Sequence, residues 1–338
     1  MQQAPSVSVV VPTFNRVGRL RSLLAALADQ TWPVEDMEIV VVSDGSTDGT
    51  DDYLTSDAVP CPIRPVLQTN AGPAVARNRG AEEARGATIV FLDDDVVPDV
   101  RLVEEHMSSH DGDGRSVVVG PMLTPDGYQM SPWVRWEQAM LEKQYEELRL
   151  GVYEARSRQF YTGNASLARR QLLDVGGFDP RYLRAEDIEL AYRLEAAGAR
   201  FEFNPNAVTH HYAERSFASW IQIPRAYGMA KVHFAEAGAR QWVLDDAANE
   251  FHDLNVINRV TSRALVDRPR MSAALATTIS KLAPLTDRFG LHRVTRYALS
   301  GLYNVEYCQG LADGLGGRDA FEALIRSGQR RERVTPVG

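Results

Sequence analysis

Asp93-Asp94-Asp95 closes a short apolar run, Thr88-Ile89-Val90-Phe91-Leu92. Three adjacent carboxylates repel one another, and a divalent cation with oxygen ligands relieves that repulsion. Side chains alternate faces along a strand, which places Asp93 and Asp95 on one side and Asp94 on the other. Two carboxylates on one face at the carboxyl end of a strand suit a metal that carries a phosphorylated ligand. Taken alone, the triplet also reads as an acidic turn. A second acidic pair, Glu186-Asp187, opens a helical stretch that runs to Ala197 and stops at Gly198. A carboxylate in a first helical turn is held ionised by the helix dipole and by free N–H groups. With an unperturbed pKa of about 3.9, such an aspartate is a weak base at neutral pH. The other reading of this pair is helix capping.

The elements that must position these groups alternate. Val7–Val11, ended by Pro12, and Glu38–Val42 are β-branched runs; Ile63–Leu67 is weaker and broken by Pro65; Thr88–Leu92 is the fourth. Between them, Arg16–Gln30 carries leucines at 20, 23, 24 and 27, a helical spacing. Pro73–Ala84 is Ala-rich, with Gly86 expected as the residue that ends it. Strands alternating with helices predict a parallel, doubly wound sheet, and apolar runs without alternation fit strands buried on both faces. In such sheets ligands bind beyond the carboxyl ends of the strands.

Those ends carry Pro12-Thr13-Phe14-Asn15-Arg16, then Ser43-Asp44-Gly45-Ser46-Thr47-Asp48-Gly49-Thr50, then Asn70-Ala71-Gly72-Pro73 with Ala76-Arg77-Asn78, then the aspartate triplet. Further on stand Gly176-Gly177-Phe178-Asp179 and Ala185-Glu186-Asp187-Ile188-Glu189-Leu190. In these motifs, their order and their spacing, residues 6–212 resemble the family 2 glycosyltransferases of GT-A fold. Each motif alone is weak; five in order are specific. No Gly-x-Gly-x-x-Gly follows the first strand, which argues against a dinucleotide-binding protein.

The resemblance implies an α/β fold of GT-A type, a Rossmann-like, mostly parallel sheet flanked by helices, in a catalytic domain over 1–212, with a nucleotide-sugar half over about 1–98 and an acceptor half over about 99–212. Beyond it the composition turns helical, and a C-terminal helical extension is expected over 213–338. Asp95 becomes the direct metal ligand, with Asp93 facing the ribose or the metal and Asp94 beside them. His210 is chosen as the second protein ligand, since the family places a histidine two residues beyond an apolar strand residue, here Val208. His211 is then expected on the opposite face; alternatively both are ordinary edge-strand histidines. Pro12, Thr13, Asn15, Arg16 and Asn70 fall where the nucleotide is cradled. Asp44 can accept a hydrogen bond from the N3–H of uracil or thymine, a donor that cytosine lacks. Arg77 can meet base or phosphate with its guanidinium. Asp187 removes the acceptor proton and Glu186 positions the acceptor. Gly163, Asn164 and the Trp133/Trp136 pair are candidates for the sugar and acceptor sites, though two tryptophans three apart also read as helix core.

Composition agrees with a globular enzyme. The chain has 338 residues, 44% hydrophobic, and two cysteines, Cys61 and Cys308, far apart, which form no disulfide framework or metal-site spacing. The N-terminus lacks the basic region and apolar core of a signal peptide, and no stretch of about 18 apolar residues occurs, so a cytoplasmic protein is expected. The net charge is −8, yet residues 256–300 hold eight Lys/Arg against two Asp, a local +6. The catalytic half is therefore acidic, which argues against nucleic acid as a partner. The basic stretch suits an anionic membrane surface, at the inner face of the membrane, or a phosphorylated acceptor; alternatively it is a solvated helix face or a homo-oligomer contact. Helices are expected over 217–238, 243–266, 270–289 and 292–315, and polar residues after Gln329 are expected to lack structure.

The function expected is therefore a divalent-cation-dependent (Mn²⁺ or Mg²⁺), inverting glycosyltransferase that uses a UDP- or dTDP-sugar and a hydroxyl acceptor. The acceptor is a saccharide, a lipid-linked saccharide or a natural product. Two alternatives stand beside it. A sugar-phosphate nucleotidyltransferase would carry a Gly-rich stretch with a basic residue after the first strand, which Pro12-Thr13-Phe14-Asn15 is not. A catalytically inactive sugar-nucleotide-binding module would have lost base or metal ligands.

Overall fold

The computed structural model describes residues 4–182, 184–238 and 240–328, in two compact units: 4–128 with 140–213, and 129–139 with 214–328. The expectation for the residues after Gln329 lies outside the described residues.

The first unit opens with β1 (Val7–Thr13), α1 (Val17–Ala28), β2 (Met37–Asp44), α2 (Thr50–Leu54), β3 (Arg64–Gln68), α3 (Pro73–Glu83) and β4 (Thr88–Leu92). It continues with β5 (Val96–Pro98), α4 (Leu102–Ser108), β6 (Ser116–Val119) and β7 (Met122–Leu123). After α5 (Pro132–Arg149), which runs through both units, come β8 (Asn164–Ala168), α6 (Arg169–Asp174), α7 (Glu186–Ala196), β9 (Arg200–Phe203) and β10 (Thr209–His211). Seven strands form one sheet in the order β3-β2-β1-β4-β8-β6-β9. The first four are mutually parallel and β8 is antiparallel to both β4 and β6. A small second sheet, β5-β10-β7, stands beside it in the chain order and has no counterpart in the sequence reading.

The apolar runs are two-sided, and their alternation sorts them into two layers. Val7, Val9, Val11, Ile39, Val41, Val90 and Leu92 pack with Leu20, Leu23, Leu24 and Leu27 of α1 and with Leu102 and Val103 of α4. Val10, Val40, Val42, Ile89 and Phe91 pack with the alanines of α3 and with Leu190 and Leu194 of α7. Side chains of adjacent strand residues feeding opposite cores is the mark of a sheet covered on both faces. Pro12 lies inside β1 rather than ending it: it pairs with Val42 of β2, while the register with β4 stops at Val10, so the missing N–H leaves no ladder bond unmade on that side. Gly86 does not end α3, whose last residue is Glu83. It is required because a Cβ there would lie 2.6 Å from the backbone of Val7 and Ser8, where the chain passes close under β1.

The second unit holds α8 (Phe217–Trp220), α9 (Gln222–Ala237), α10 (Gln241–Asp253), α11 (Val256–Leu265), α12 (Pro269–Arg288), α13 (His292–Leu315) and α14 (Arg318–Ser327). The expected helix over 243–266 is two helices. Asn255 breaks it by capping α11, its side chain accepting from the Asn258 N–H. Trp133 and Trp136, on the first turns of α5, belong to this unit's core. Their rings meet Phe217 at 5.2 Å and Trp220 at 5.9 Å, and the Trp133 Nε1–H donates to the Arg215 carbonyl. Both are partly buried and pack against this core, as the helix-core alternative has it.

Candidate active site

The carboxyl ends of β1, β2 and β4 converge, and their loops are tied by side chains rather than by ladder bonds. Asn15, with φ 54°, accepts the Thr47 N–H on its Oδ1 at 2.7 Å and donates its own N–H to Ser46. It thus joins the loop after β1 to the loop after β2. Asp44 is buried at the end of β2 and accepts from Gln68 Nε2, Ala71 N and Gly72 N at 2.7, 2.9 and 2.8 Å. The Asn70 side chain donates to the Asp44 carbonyl. Three of about four lone-pair positions on the Asp44 carboxylate are used, leaving one on Oδ2.

β4 ends at Leu92, so the strand alternation does not extend through the triplet. Instead of Asp93 and Asp95 sharing a side, Asp94 and Asp95 share one partner. Arg16 Nη1 lies 2.9 Å from Asp94 Oδ1 and 2.6 Å from Asp95 Oδ2. Thr13 Oγ1 also donates to Asp94 at 2.8 Å. Burial pushes the Asp94 carboxyl up to about 6, against the pull of Arg16. Burial pushes Asp95 the same way, but the hydrogen bond and charge of His211, with Arg16, outweigh it and hold Asp95 well below the usual carboxylate range. Asp93 turns to the other side, to Arg77.

Arg77, in the second turn of α3, is buried and bridges two distant carboxylates. Its Nη2 is 2.8 Å from Asp93 and its Nη1 2.7 Å from Glu186, the first residue of α7. Burial costs this guanidinium, yet Asp93, Glu186 and Asp187 together raise its pKa. Asp187 follows Glu186 and is only partly covered. Burial of its carboxyl, then the Glu186 charge, push it up to about 7, a value suited to a general base near neutrality. The helix starts abruptly because Ala185 takes a left-handed φ of 60°. An L-residue held there stores strain of about 1–3 kcal/mol, a feature that clusters at functional sites.

The two histidines exchange the places expected of them. β10 runs antiparallel to β5, pairing His211 with Val96 and His210 with Val97, and the Tyr212 N–H donates to the Asp95 carbonyl. Thr209 and His211 therefore share the inward face and His210 the outward one. His211 Nε2 lies 3.6 Å from Asp95 Oδ1, whereas His210 Nε2 lies 3.0 Å from the exposed Asp99. The apolar residue Val208 precedes the strand and did not set its phase.

Gly163 and Asn164 serve the scaffold. The Gly163 carbonyl accepts the Asp93 N–H, and a Cβ at 163 would lie 2.6 Å from Met122 Sδ and 2.9 Å from Asp93 Oδ2, so a side chain there would displace one or both. Asn164 is fully buried, so it does not line an open acceptor site. Its Nδ2 donates to the carbonyls of Pro121 and Ala207, and its Oδ1 meets His106 Nε2 at 2.9 Å. Because that oxygen can only accept, Nε2 carries the proton and Nδ1 accepts from Ser166 Oγ, which in turn accepts a hydrogen bond from the His110 Nε2–H. Burial pushes His106 down to about 4, so the ring is neutral and the chain of donors has one direction. Sequence reasoning missed this chain of hydrogen bonds, whose one local signal is the pair His106, on α4, and His110, just beyond its end.

Among the described residues, no group of three or more His, Cys, Asp or Glu side chains is arranged to hold a metal. A two-residue protein share does fit. Two donors about 2.1 Å from one ion and about 90–120° apart lie about 3.0–3.7 Å from each other, and Asp95 and His211 are 3.6 Å apart. Such ions are commonly held by one or two side chains plus the oxygens of a phosphorylated substrate.

Known proteins carry the same architecture. A mannosyltransferase from Pyrobaculum calidifontis, in complex with GDP-Man and Mn²⁺, superposes with a TM-score of 0.60 at 19% identity, covering 91% of this chain and 87% of that one. S. aureus TarS residues 1–349 in complex with UDP superposes at 0.54 and 18% identity, over 98% and 94%. At such identities the likeness concerns the fold. In sequence, the validoxylamine A glucosyltransferase of Streptomyces hygroscopicus subsp. jinggangensis is 35% identical over 220 residues, 57% of this chain and 52% of that protein. The pre-mycofactocin glycosyltransferase of Mycobacterium tuberculosis is 30% identical over 231 residues, 66% and 46%. The chain thus spans about half the length of these curated relatives. Glycosyl transferase family 2 matches residues 8–177, half of the chain, including the loops that follow β1, β2, β3 and β4, and the protein belongs to that family.

Proposed function

We propose that this protein is an inverting, divalent-cation-dependent glycosyltransferase that moves a sugar from a uridine or deoxythymidine diphosphate sugar to an acceptor hydroxyl. The observation that carries the reading is the Arg77 bridge. It holds Asp93, from the strand end where a diphosphate would lie, to Glu186, whose neighbour Asp187 is poised to take a proton. The relatives bear the names of glycosyltransferases, and one fold neighbour is described with a nucleotide sugar and Mn²⁺.

In this reading the chain divides the work by element. Asp44 offers its remaining Oδ2 lone pair to the N3–H of uracil or thymine, while Thr13, Asn15 and Asn70 fix the loops around the base. Arg16 sits where its guanidinium can leave Asp94 and Asp95 for phosphate oxygens, a partner that its planar fork matches. Asp95 and His211 would hold the cation, Mn²⁺ or Mg²⁺, which when bound neutralises charge developing on the diphosphate. Glu186, fixed by Arg77, orients the acceptor. Asp187 takes the acceptor proton as the acceptor oxygen bonds to the anomeric carbon, while the carbon–oxygen bond to the diphosphate breaks with its electron pair on the leaving group. One base and one displacement invert that centre.

A thermal-shift series with UDP, dTDP, GDP and CDP, each with Mn²⁺, Mg²⁺ or a chelator, tests the donor side. Ligands that bind only the folded state raise its melting temperature. Stabilisation by UDP or dTDP that the chelator removes is the expected result. Stabilisation by GDP alone, or shifts indifferent to chelator, would overturn the donor or the metal assignment.

A further inference from the structure

In the second unit, basic residues are followed by exposed apolar ones in a repeating pair. Arg270-Met271, Lys281-Leu282 and Arg288-Phe289 lie on α12 and at its end, and Arg293-Val294 and Arg296-Tyr297 open α13. The apolar members are 52%, 50%, 75%, 53% and 68% exposed, which is far from the usual fate of such side chains. On α12 the pairs recur after 11 and then 7 residues, close to three and two whole turns at about 3.6 residues per turn. The bases therefore stack in one row and Met271, Leu282 and Phe289 in another, about 100° apart. Leu285, half exposed, falls between the rows.

The charges in this region are unbalanced for a structural reason. Its two acids are engaged within the unit: Asp287 pairs with Arg135 and His292, and Asp267 accepts from the Arg318 N–H and Gln309. The side chains of Arg270, Lys281, Arg288, Arg293 and Arg296 make no hydrogen bond or ion pair with any described residue and are exposed. Arg263, by contrast, is held by Glu322.

We infer that the outer face of α12 and the start of α13 dock on an anionic lipid surface. Interleaved charge and apolar bulk fit that occupant. Aliphatic stems and apolar tips enter the boundary between headgroups and acyl chains while ammonium and guanidinium groups stay at the phosphates. The whole chain is −8, so general adsorption to an anionic bilayer is opposed and any attraction must come from this face. The inference does not depend on the donor assignment above.

The test is co-sedimentation of the full chain with vesicles of phosphatidylcholine alone or mixed equally with phosphatidylglycerol, at low and high salt. Binding is expected to the mixed vesicles only and to weaken as salt rises, since exposed charges are screened beyond about 8–10 Å at physiological ionic strength. K281Q should weaken it about five-fold and the combined R270Q, K281Q and R288Q about hundred-fold, at about one such step per base. L285S with F289S should reduce it at both salt levels. All variants alter exposed positions, and unchanged melting curves confirm that they fold. Failure of the parent to bind mixed vesicles at low salt, or binding indifferent to the triple variant, overturns the proposal. A concentration-dependent dimer that the same variants abolish, without vesicle binding, would assign the face to a second copy instead.

Discussion

Arg77 and Glu186, 109 positions apart, meet as a buried ion pair with Nη1 and Oε1 2.7 Å apart, and the second arm of the same guanidinium holds Asp93. One side chain thus ties the turn after β4 to the start of α7. Removing it strands two carboxylates. Arg77→Met should cost about 3–5 kcal/mol of unfolding free energy, the usual penalty for breaking a buried pair. Urea denaturation should show a lowered midpoint at an unchanged slope. A loss well under 1 kcal/mol would mean that the bridge is not maintained in solution.

The raised value of Asp187, about 7, sets a pH dependence. A base works only when deprotonated, so kcat/KM should rise with pH through about 7 and then level. Glu186→Gln removes a negative neighbour and frees Arg77, and both changes favour the ionised form of Asp187. The acid limb should therefore move to lower pH, whatever the variant does to the plateau. Asp187→Asn should lose about 10²- to 10⁴-fold in rate while still binding donor. An unmoved limb in Glu186→Gln would assign that pKa to another group.

The cation assignment separates two adjacent histidines. His211→Ala should weaken metal-dependent UDP binding by more than about tenfold, the scale seen even for outer partners of metal ligands. His210→Ala, which removes the ring that meets Asp99 rather than Asp95, should leave it near the parent value. Titration calorimetry with and without Mn²⁺ reads both. The reverse ranking would restore His210.

His106 predicts a stability effect with a definite sign. Its pKa falls from 6.5 to about 4 on burial, so the unfolded chain takes up a proton first as pH drops. The stability held above pH 6.5 should be lost progressively down to about pH 4, by about 3 kcal/mol. His106→Gln should flatten that part of the profile relative to the parent. Parallel parent and variant curves between these pH values would show that the imidazole does not titrate with folding.

How much was legible follows from how local each signal is. β1, β2 and β4 were readable because both faces of each strand are buried, which writes an unbroken β-branched run into the chain. The loops that follow them were readable because short motifs at strand ends must be contiguous to cradle a ligand. The alternation assumed for Asp93, Asp94 and Asp95 failed because the strand ends at Leu92, where the apolar run ends, and its alternation does not continue into the turn that follows. Trp133 and Trp136 carried sugar-binding chemistry in principle, yet their surroundings are set by Phe217, Trp220 and Tyr303, far along the chain.

By itself the sequence determined the doubly wound fold, the family and the residue types gathered at the strand ends, since local patterns and contiguous motifs encode all three. Only the tertiary structure decided which partners meet. The phase of β10 depends on antiparallel pairing with β5, and a shift of one residue would exchange His211 for His210 beside Asp95. The raised pKa of Asp187 depends on burial and on Glu186, not on its identity as an aspartate. The relay from His110 through Ser166 and His106 to Asn164 joins a helix to a strand some 60 residues away. Such through-space couplings leave no periodic trace, because a hydrogen bond between distant segments constrains two positions without imposing a pattern on the residues between them.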